Sequence, residues 1–186
     1  MRKLISFNLM TLDGFFEGPS HDIGWHNVDK EFDDFSIKQL ETAGMLLFGR
    51  VTYELMAGYW PSEESLKDDP IVANWMNSLP KVVFSRTLEK ADWNNTRLVK
   101  TDVAGEISRL KQQSGKDLFL FGSADLATTL IKLGLIDEYR ILLNPIVLGK
   151  GSLLFKGVEK PFKLNLIKTR TFQNGNILLY YQPDKK

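Results

Sequence analysis

Cysteine is absent from all 186 positions of this chain, and histidine occurs only twice. The first absence excludes disulfides, thiolate metal sites and cysteine nucleophiles. It fits a reducing compartment, so a cytoplasmic protein is expected. The second leaves His21 and His26 as the whole imidazole supply. Two such ligands on one loop do not make a metal site, and none is expected. No apolar run approaches the roughly 20 residues of a membrane helix. Neither sign of charge dominates: 24 Lys and Arg against 23 Asp and Glu leave a net charge of +1. The basic residues are dispersed, which gives no footprint for nucleic acid or a membrane surface. The opening "MRKLISFNLM" has the basic start of a signal peptide, but Ser6 and Asn8 interrupt its apolar run and no small-residue cleavage site follows. It reads as a first strand. Without repeats, linkers or low-complexity segments, residues 1–186 read as a single domain long enough for a sizeable core.

Strands and helices alternate through the first two thirds of the chain. Residues 3–10, 45–48, 81–85, 96–100 and 117–122 are short apolar runs of strand length. Between them, helical spacing is found at 29–43, from about 51 to Gly58, at 70–78 behind Pro70, at 103–113 and at 123–134. Gly44 reads as the stop of the first helix. Residues 11–25, rich in Gly, Pro and Asp, read as a long loop. From Asp137 the chain turns β-like in "EYRILLNPIV", "KLNLIKTRTF" and "ILLYYQ", with Asn174-Gly175 as a hairpin turn. This order predicts an α/β fold with a mixed, mostly parallel central sheet, helices on both faces and a C-terminal antiparallel hairpin.

Three strands end alike. "MLLFGRVT" delivers Gly49, Arg50 and Thr52; "KVVFSRT" delivers Ser85, Arg86 and Thr87; "LFLFGSAD" delivers Gly122 and Ser123. A strand that feeds a helix through glycine presents the free N–H groups and the positive dipole end of that helix, which is a ready site for an anion. A lone glycine is also what a plain tight turn uses. Three such turns at one sheet edge suit a dinucleotide with several phosphates.

These motifs, with "TLDG" after the first strand and the block "GSADLATTLIKLGLIDEY…NPIVLGKGSLLF", resemble the dihydrofolate reductase-like superfamily. The likeness is nearest to the branch of the riboflavin-biosynthesis reductase domain, and it runs over nearly the whole chain. The resemblance implies a reductase that binds NADPH and a small-molecule substrate. Carried over motif by motif, Gly49, Arg50 and Thr52 lie at the cofactor phosphates. Ser85, Arg86 and Thr87 hold the 2′-phosphate, and Gly122, Ser123, Ala124 and Leu126 line the pyrophosphate and nicotinamide side. An arginine with hydroxyls is the donor set a 2′-phosphate wants, whereas an NAD site more often shows an acid there.

At the substrate end the resemblance implies a tryptophan and then an acid at the start of the first helix. "GWHNVDKEFDDF" offers Trp25, then Asp29, Glu31, Asp33 and Asp34, with Phe32 and Phe35 as an apolar pair. Aligning that pair puts Glu31 at the acid position, with Trp25, Asp29 and Phe32 as substrate contacts. Asp13 of the "DG" loop is the second candidate for proton chemistry, and a turn residue is the other reading of it. A run of acids is also how a solvated helix face looks. The substrate expected is pterin-like or aminopyrimidine-like. The alternative is a sensor or module that binds NADPH without catalysis. The apolar C-terminal strands, together with what the resemblance implies, predict a homodimer.

Overall fold

Strands that are apolar on both faces need cover on both faces, which parallel sheets obtain from their crossover helices. The computed structural model, which describes residues 1–184, shows this arrangement. In chain order the elements are β1 (Leu4–Thr11), β2 (Phe15–Glu17), α1 (Lys30–Glu41), β3 (Ala43–Gly49), α2 (Arg50–Tyr59), α3 (Glu63–Asp68), α4 (Pro70–Ser78) and β4 (Lys81–Phe84). There follow β5 (Thr96–Val99), α5 (Val103–Gln112), β6 (Asp117–Phe121), α6 (Ala124–Lys132), β7 (Glu138–Asn144), β8 (Ser152–Leu153), β9 (Leu164–Thr171) and β10 (Ile177–Pro183). An eight-stranded sheet runs β5-β4-β3-β6-β1-β7-β10-β9, and only β10 is antiparallel to its neighbours.

The strand period of two divides the core. Leu4, Leu47, Leu118 and Leu120 point to the face covered by Ile107 and Leu110 of α5 and Leu126 and Leu130 of α6. Ile5, Leu46, Phe48 and Phe119 point to the face covered by Leu40 of α1, Tyr53 of α2 and Val72 and Met76 of α4. Each such fully buried leucine or phenylalanine contributes about 1.5–3 kcal/mol relative to exposure. One buried charge belongs to this second layer. Lys81 is 1% exposed, and its Nζ donates to the carbonyls of Met76 at 2.7 Å, Leu79 at 2.7 Å and Asn77 at 3.2 Å. It closes the C-terminal end of α4, where a cation is favoured. Burial pushes its pKa down to about 8.

Three details differ from the sequence reading. Gly44 does not stop α1; Thr42 is its C-cap. Gly44 lies inside β3, where a Cβ would meet the Lys116 carbonyl oxygen at 2.5 Å, so glycine is there for close approach. The long loop contains β2, which pairs with β8, and a turn of 3-10 helix at Pro19–His21. The strand stops before "PIV": β7 ends at Asn144, and the chain beyond is held as a loop by Asp13, which accepts from the Leu148 and Gly149 amides.

Four asparagines tie the loop before α1 to the C-terminal hairpin. The Asn27 amide donates to Asn144 Oδ1 at 2.8 Å and its Nδ2 to the Asn174 carbonyl at 2.9 Å. Its own carbonyl accepts from Asn176 Nδ2 at 2.6 Å and Asn174 Nδ2 at 3.0 Å.

Candidate active site

In the sheet, β4, β3 and β6 are consecutive and parallel, so their carboxyl ends lie side by side. The turns after them therefore form one edge. Gly49 is opposite Phe84, the last residue of β4, which sets Arg50 beside the start of the Ser85-Arg86-Thr87 turn. On the other side, Ser123 joins the first turn to the third. Its Oγ accepts from the Gly49 amide at 2.7 Å and donates to Thr52 Oγ1 at 2.8 Å. Gly122 and Ser123 both have left-handed backbone, φ 60° and 62°, which turns the chain sharply out of β6 and into α6. A Cβ on Gly122 would meet Thr52 Oγ1 at 3.2 Å, and one on Gly49 would meet Ser123 Oγ at 3.1 Å. The two turns touch through their glycines.

Helix capping singles out this edge. The helices α1, α3, α4 and α5 each carry a side-chain N-cap, from Asp29, Ser62, Asp69 and Asp102. The helices α2 and α6 have none. Neither N-cap residue bonds the first-turn N–H groups, which lie at the positive ends of two helices that start from adjacent strands. Arg50 and Arg86 are exposed beside them. Arg50 Nη1 makes a surface pair with Glu54 at 2.8 Å, of the kind that exchanges readily. Arg86 makes no ion pair among the described residues. Ser85 Oγ accepts from the Thr87 and Leu88 amides and shapes the middle turn. Asp125, in the first turn of α6, is exposed, Ala124 is half-buried, and Leu126 is buried against the core. Free N–H groups, two arginines and close glycines fit the phosphates of a dinucleotide.

A cleft of about 370 Å³ adjoins this edge. Its origin is a register event. β1 leaves β6 after the Phe7–Phe121 pair, yet continues along β7 to Thr11. A crevice at the carboxyl ends of parallel strands is where α/β sheets take ligands. Phe7, Phe121 and Gly122 form its floor, α1 and α4 with Met56 and Trp60 its walls, and Phe16, Ile23 and His26 of the loop its third side. Thr52 and Gly122 belong both to this cleft and to the turns.

The expected substrate residues are distributed differently. Phe32 lines the cleft. Glu31 does not: it accepts from Arg170 Nη2 at 2.8 Å and the Gln173 amide at 2.9 Å, on the side of α1 toward the hairpin. These donors hold its carboxyl below the usual range. Asp13 is bonded to Thr11 and to the 148–149 amides, which likewise keep its pKa low, and it serves as a loop clamp. Asp29 is the N-cap of α1. Trp25 packs edge-on against His26 and donates to the Asp22 carbonyl, outside the cleft lining.

The acid of α1 that faces the cleft is Asp33. With Asp29 as N-cap, the helix turns Phe32, Asp33, Ser36, Gln39 and Leu40 toward the cleft. Desolvation raises the Asp33 pKa, as do the charges of Asp69, Asp29 and Asp34. The helical spacing of Asp33, Ser36 and Leu40 is the signal that would have chosen it over Glu31. Asn8 and Asp69, also in the cleft, carry no signal in the sequence: one sits in an apolar strand, the other before a proline. Asn8 is 4% exposed, and its Oδ1 and His26 Nε2 are buried polar atoms without a partner among the described residues. Burial pushes His26 down to about 4, so its ring is neutral.

A doubly covered, mostly parallel sheet with a cleft at its carboxyl edge defines the class of open α/β proteins. Within that class the chain belongs to the family of the RibD C-terminal domain, which matches residues 2–178. It is 36% identical over 97% of its length, and 94% of the other's, to the uncharacterized protein YyaP of Bacillus subtilis (strain 168). Its fold is similar to that of dihydrofolate reductase from Enterococcus faecalis, solved in complex with NADP(H), with TM-score 0.66 and 13% identity over 98% of this chain and 97% of that one. It is also similar to the diaminohydroxyphosphoribosylaminopyrimidine deaminase/5-amino-6-(5-phosphoribosylamino)uracil reductase of Thermotoga maritima, with TM-score 0.65 and 13% identity over 98% of this chain and 56% of that one. The fold is thus dihydrofolate reductase-like.

Proposed function

We propose that the chain is an NADPH-dependent reductase of a small pterin-like or aminopyrimidine-like heterocycle. The observation that carries this reading is the pair of uncapped helices, α2 and α6, which start from adjacent strands, while the other α-helices of the described residues are side-chain capped. The first-turn amides of both helices, with Gly49, Arg50, Thr52, Gly122 and Ala124, would hold the cofactor phosphates. Ser85, Arg86 and Thr87 would take the 2′-phosphate. Ser123 supports the site by bonding Gly49 and Thr52 rather than by offering its hydroxyl outward. Leu126, buried in the core, supports it from below. NADPH, when bound, supplies a hydride. The chain's own part is to seat the acceptor in the cleft, exclude water with Phe7, Phe32, Trp60 and Phe121, and bond the acceptor through Asp33. The raised pKa of Asp33 lets it hold a proton nearer to neutrality than an ordinary aspartate. Asp33 takes the role expected of Glu31. An acid in the cleft favours a reductase over a cofactor-binding module without catalysis.

The setting proposed is the cytoplasm, and the working form a homodimer. The edge strand β9 carries exposed Leu166 and Ile167, which a second copy would cover. Light scattering that returned a mass near 21.3 kDa would refute the dimer. The reductase reading is tested by titrating NADPH and NADH by fluorescence, then following cofactor oxidation with pteridines and aminopyrimidines. Preferential NADPH binding and oxidation by one of these is the expected result. Absence of NADPH binding would overturn the reading.

A further inference from the structure

Among the described residues, the charged side chains that line the cleft are all carboxylates: Glu17, Asp33 and Asp69. No lysine or arginine reaches it. Around Asp33 the charges of Asp69, Asp29 and Asp34 outweigh that of Lys30. Two arginines approach α1 from the sheet, and both are engaged: Arg140 with Glu138 and Gln39, Arg170 with Glu31. The arginines of the phosphate edge, Arg50 and Arg86, lie outside the cleft lining. Asn8 adds a buried carbonyl oxygen with no donor to satisfy it, and His26 a buried ring nitrogen without a partner, a donor or an acceptor according to its tautomer. Buried polar atoms are almost always partnered in folded proteins. These two atoms flank the cleft without being exposed to it, so its character is set by the three carboxylates.

The cleft thus offers acceptors in excess between apolar walls. A bound anion would be desolvated there with no cation to pair with and three carboxylates to oppose it. Donors such as amino groups and ring N–H would meet the cleft carboxylates, Asp33 first among them. Resting on the reductase reading, we infer that the substrate is a flat heterocycle with amino or ring N–H donors, neutral or cationic, that carries neither phosphate nor carboxylate. This sets the chain apart from the Thermotoga maritima neighbour, whose named reductase substrate bears a phosphoribosyl group.

The test uses the full chain and isothermal calorimetry, with and without NADPH. The neutral probes are pterin, 6-hydroxymethylpterin and 2,4-diaminopyrimidine. The anionic probes are pterin-6-carboxylate and the phosphate ester of 6-hydroxymethylpterin. At least one neutral probe is expected to bind, and each anionic probe to bind roughly tenfold or more weakly than its neutral parent. In Asp33→Asn, which removes one negative charge, that gap is expected to narrow. The wild-type comparison stands even if this variant misfolds. An anionic probe that binds as well as its parent would overturn the inference, and so would failure of every neutral probe. Cofactor binding is read separately in the same preparation. Loss of NADPH binding alone would refute the reductase reading, while the probe comparison would still decide the ligand class.

Discussion

The hydroxyl of Ser123 is bonded to the backbone amide of Gly49 at 2.7 Å, across 74 positions of sequence. One side chain thereby fixes the spacing of two helix N-termini that start from different strands. Ser123→Ala takes this acceptor from the half-buried Gly49 amide. The expected loss of stability is about 1–3 kcal/mol, read from urea midpoints, together with weaker NADPH binding. Unchanged cofactor affinity in a destabilised variant would separate the two turns functionally.

Arg86 is exposed at the middle turn and makes no ion pair among the described residues. Arg86→Ala is expected to weaken NADPH by about 1.5–3 kcal/mol, the range for hydrogen bonds to charged groups, and to leave NADH unaffected. Titration with both cofactors checks this. Equal losses would remove Arg86 from the 2′-phosphate.

His26 titrates near pH 4 in the folded chain instead of 6.5 because it is buried. Its ring is neutral in the fold, whereas the unfolded chain takes up a proton as pH falls below about 6.5. Stability is therefore full above that pH and declines as pH falls toward 4, by about 3 kcal/mol for a shift of this size. The carboxylates with lowered pKa values, Asp13, Glu31 and Glu106 among them, lose their contribution in a lower window, below their unfolded values of 3.8 for the aspartate and 4.5 for the glutamates. His26→Gln should flatten the upper part of the decline. Urea unfolding at pH about 7 and about 5 compares the slopes.

Lys81 holds three carbonyls at the end of α4 and lies 4.5 Å from the Trp93 ring centroid. Lys81→Met keeps the aliphatic stem but leaves those carbonyls without their donor. A loss of about 2–4 kcal/mol is expected. Because Val72 and Met76 of α4 face the cleft, faster amide exchange in 70–78 should accompany weaker substrate binding.

The strands were legible because each is short, apolar and closed by a turn residue, and the three turns because their residues suit anions. The sheet order that sets them side by side is a long-range property, but the α/β alternation implied it. What stayed hidden was phase and partnership. Glu31 and Asp33 are two positions apart, and the choice between them depends on where Asp29 caps α1 and on Arg170, which comes from β9, far along the chain. Asp13 looks like a chemical group until its partners, the 148–149 amides, are known. The helix α3 has only six residues, too few for a period to show, and β2 and β8 are strands only because they pair with one another.

Asn27 has a consequence for traffic into the cleft. The loop that bears Ile23 and His26 is anchored at its start by the β2–β8 pairing and at its end by the asparagine cluster. It is an arch on two fixed feet, not a flap on one hinge. With both feet held, the stretch from Gly18 to His26 stands as a fixed third side of the cleft, tied through Asn27 to the turn of the β9–β10 hairpin.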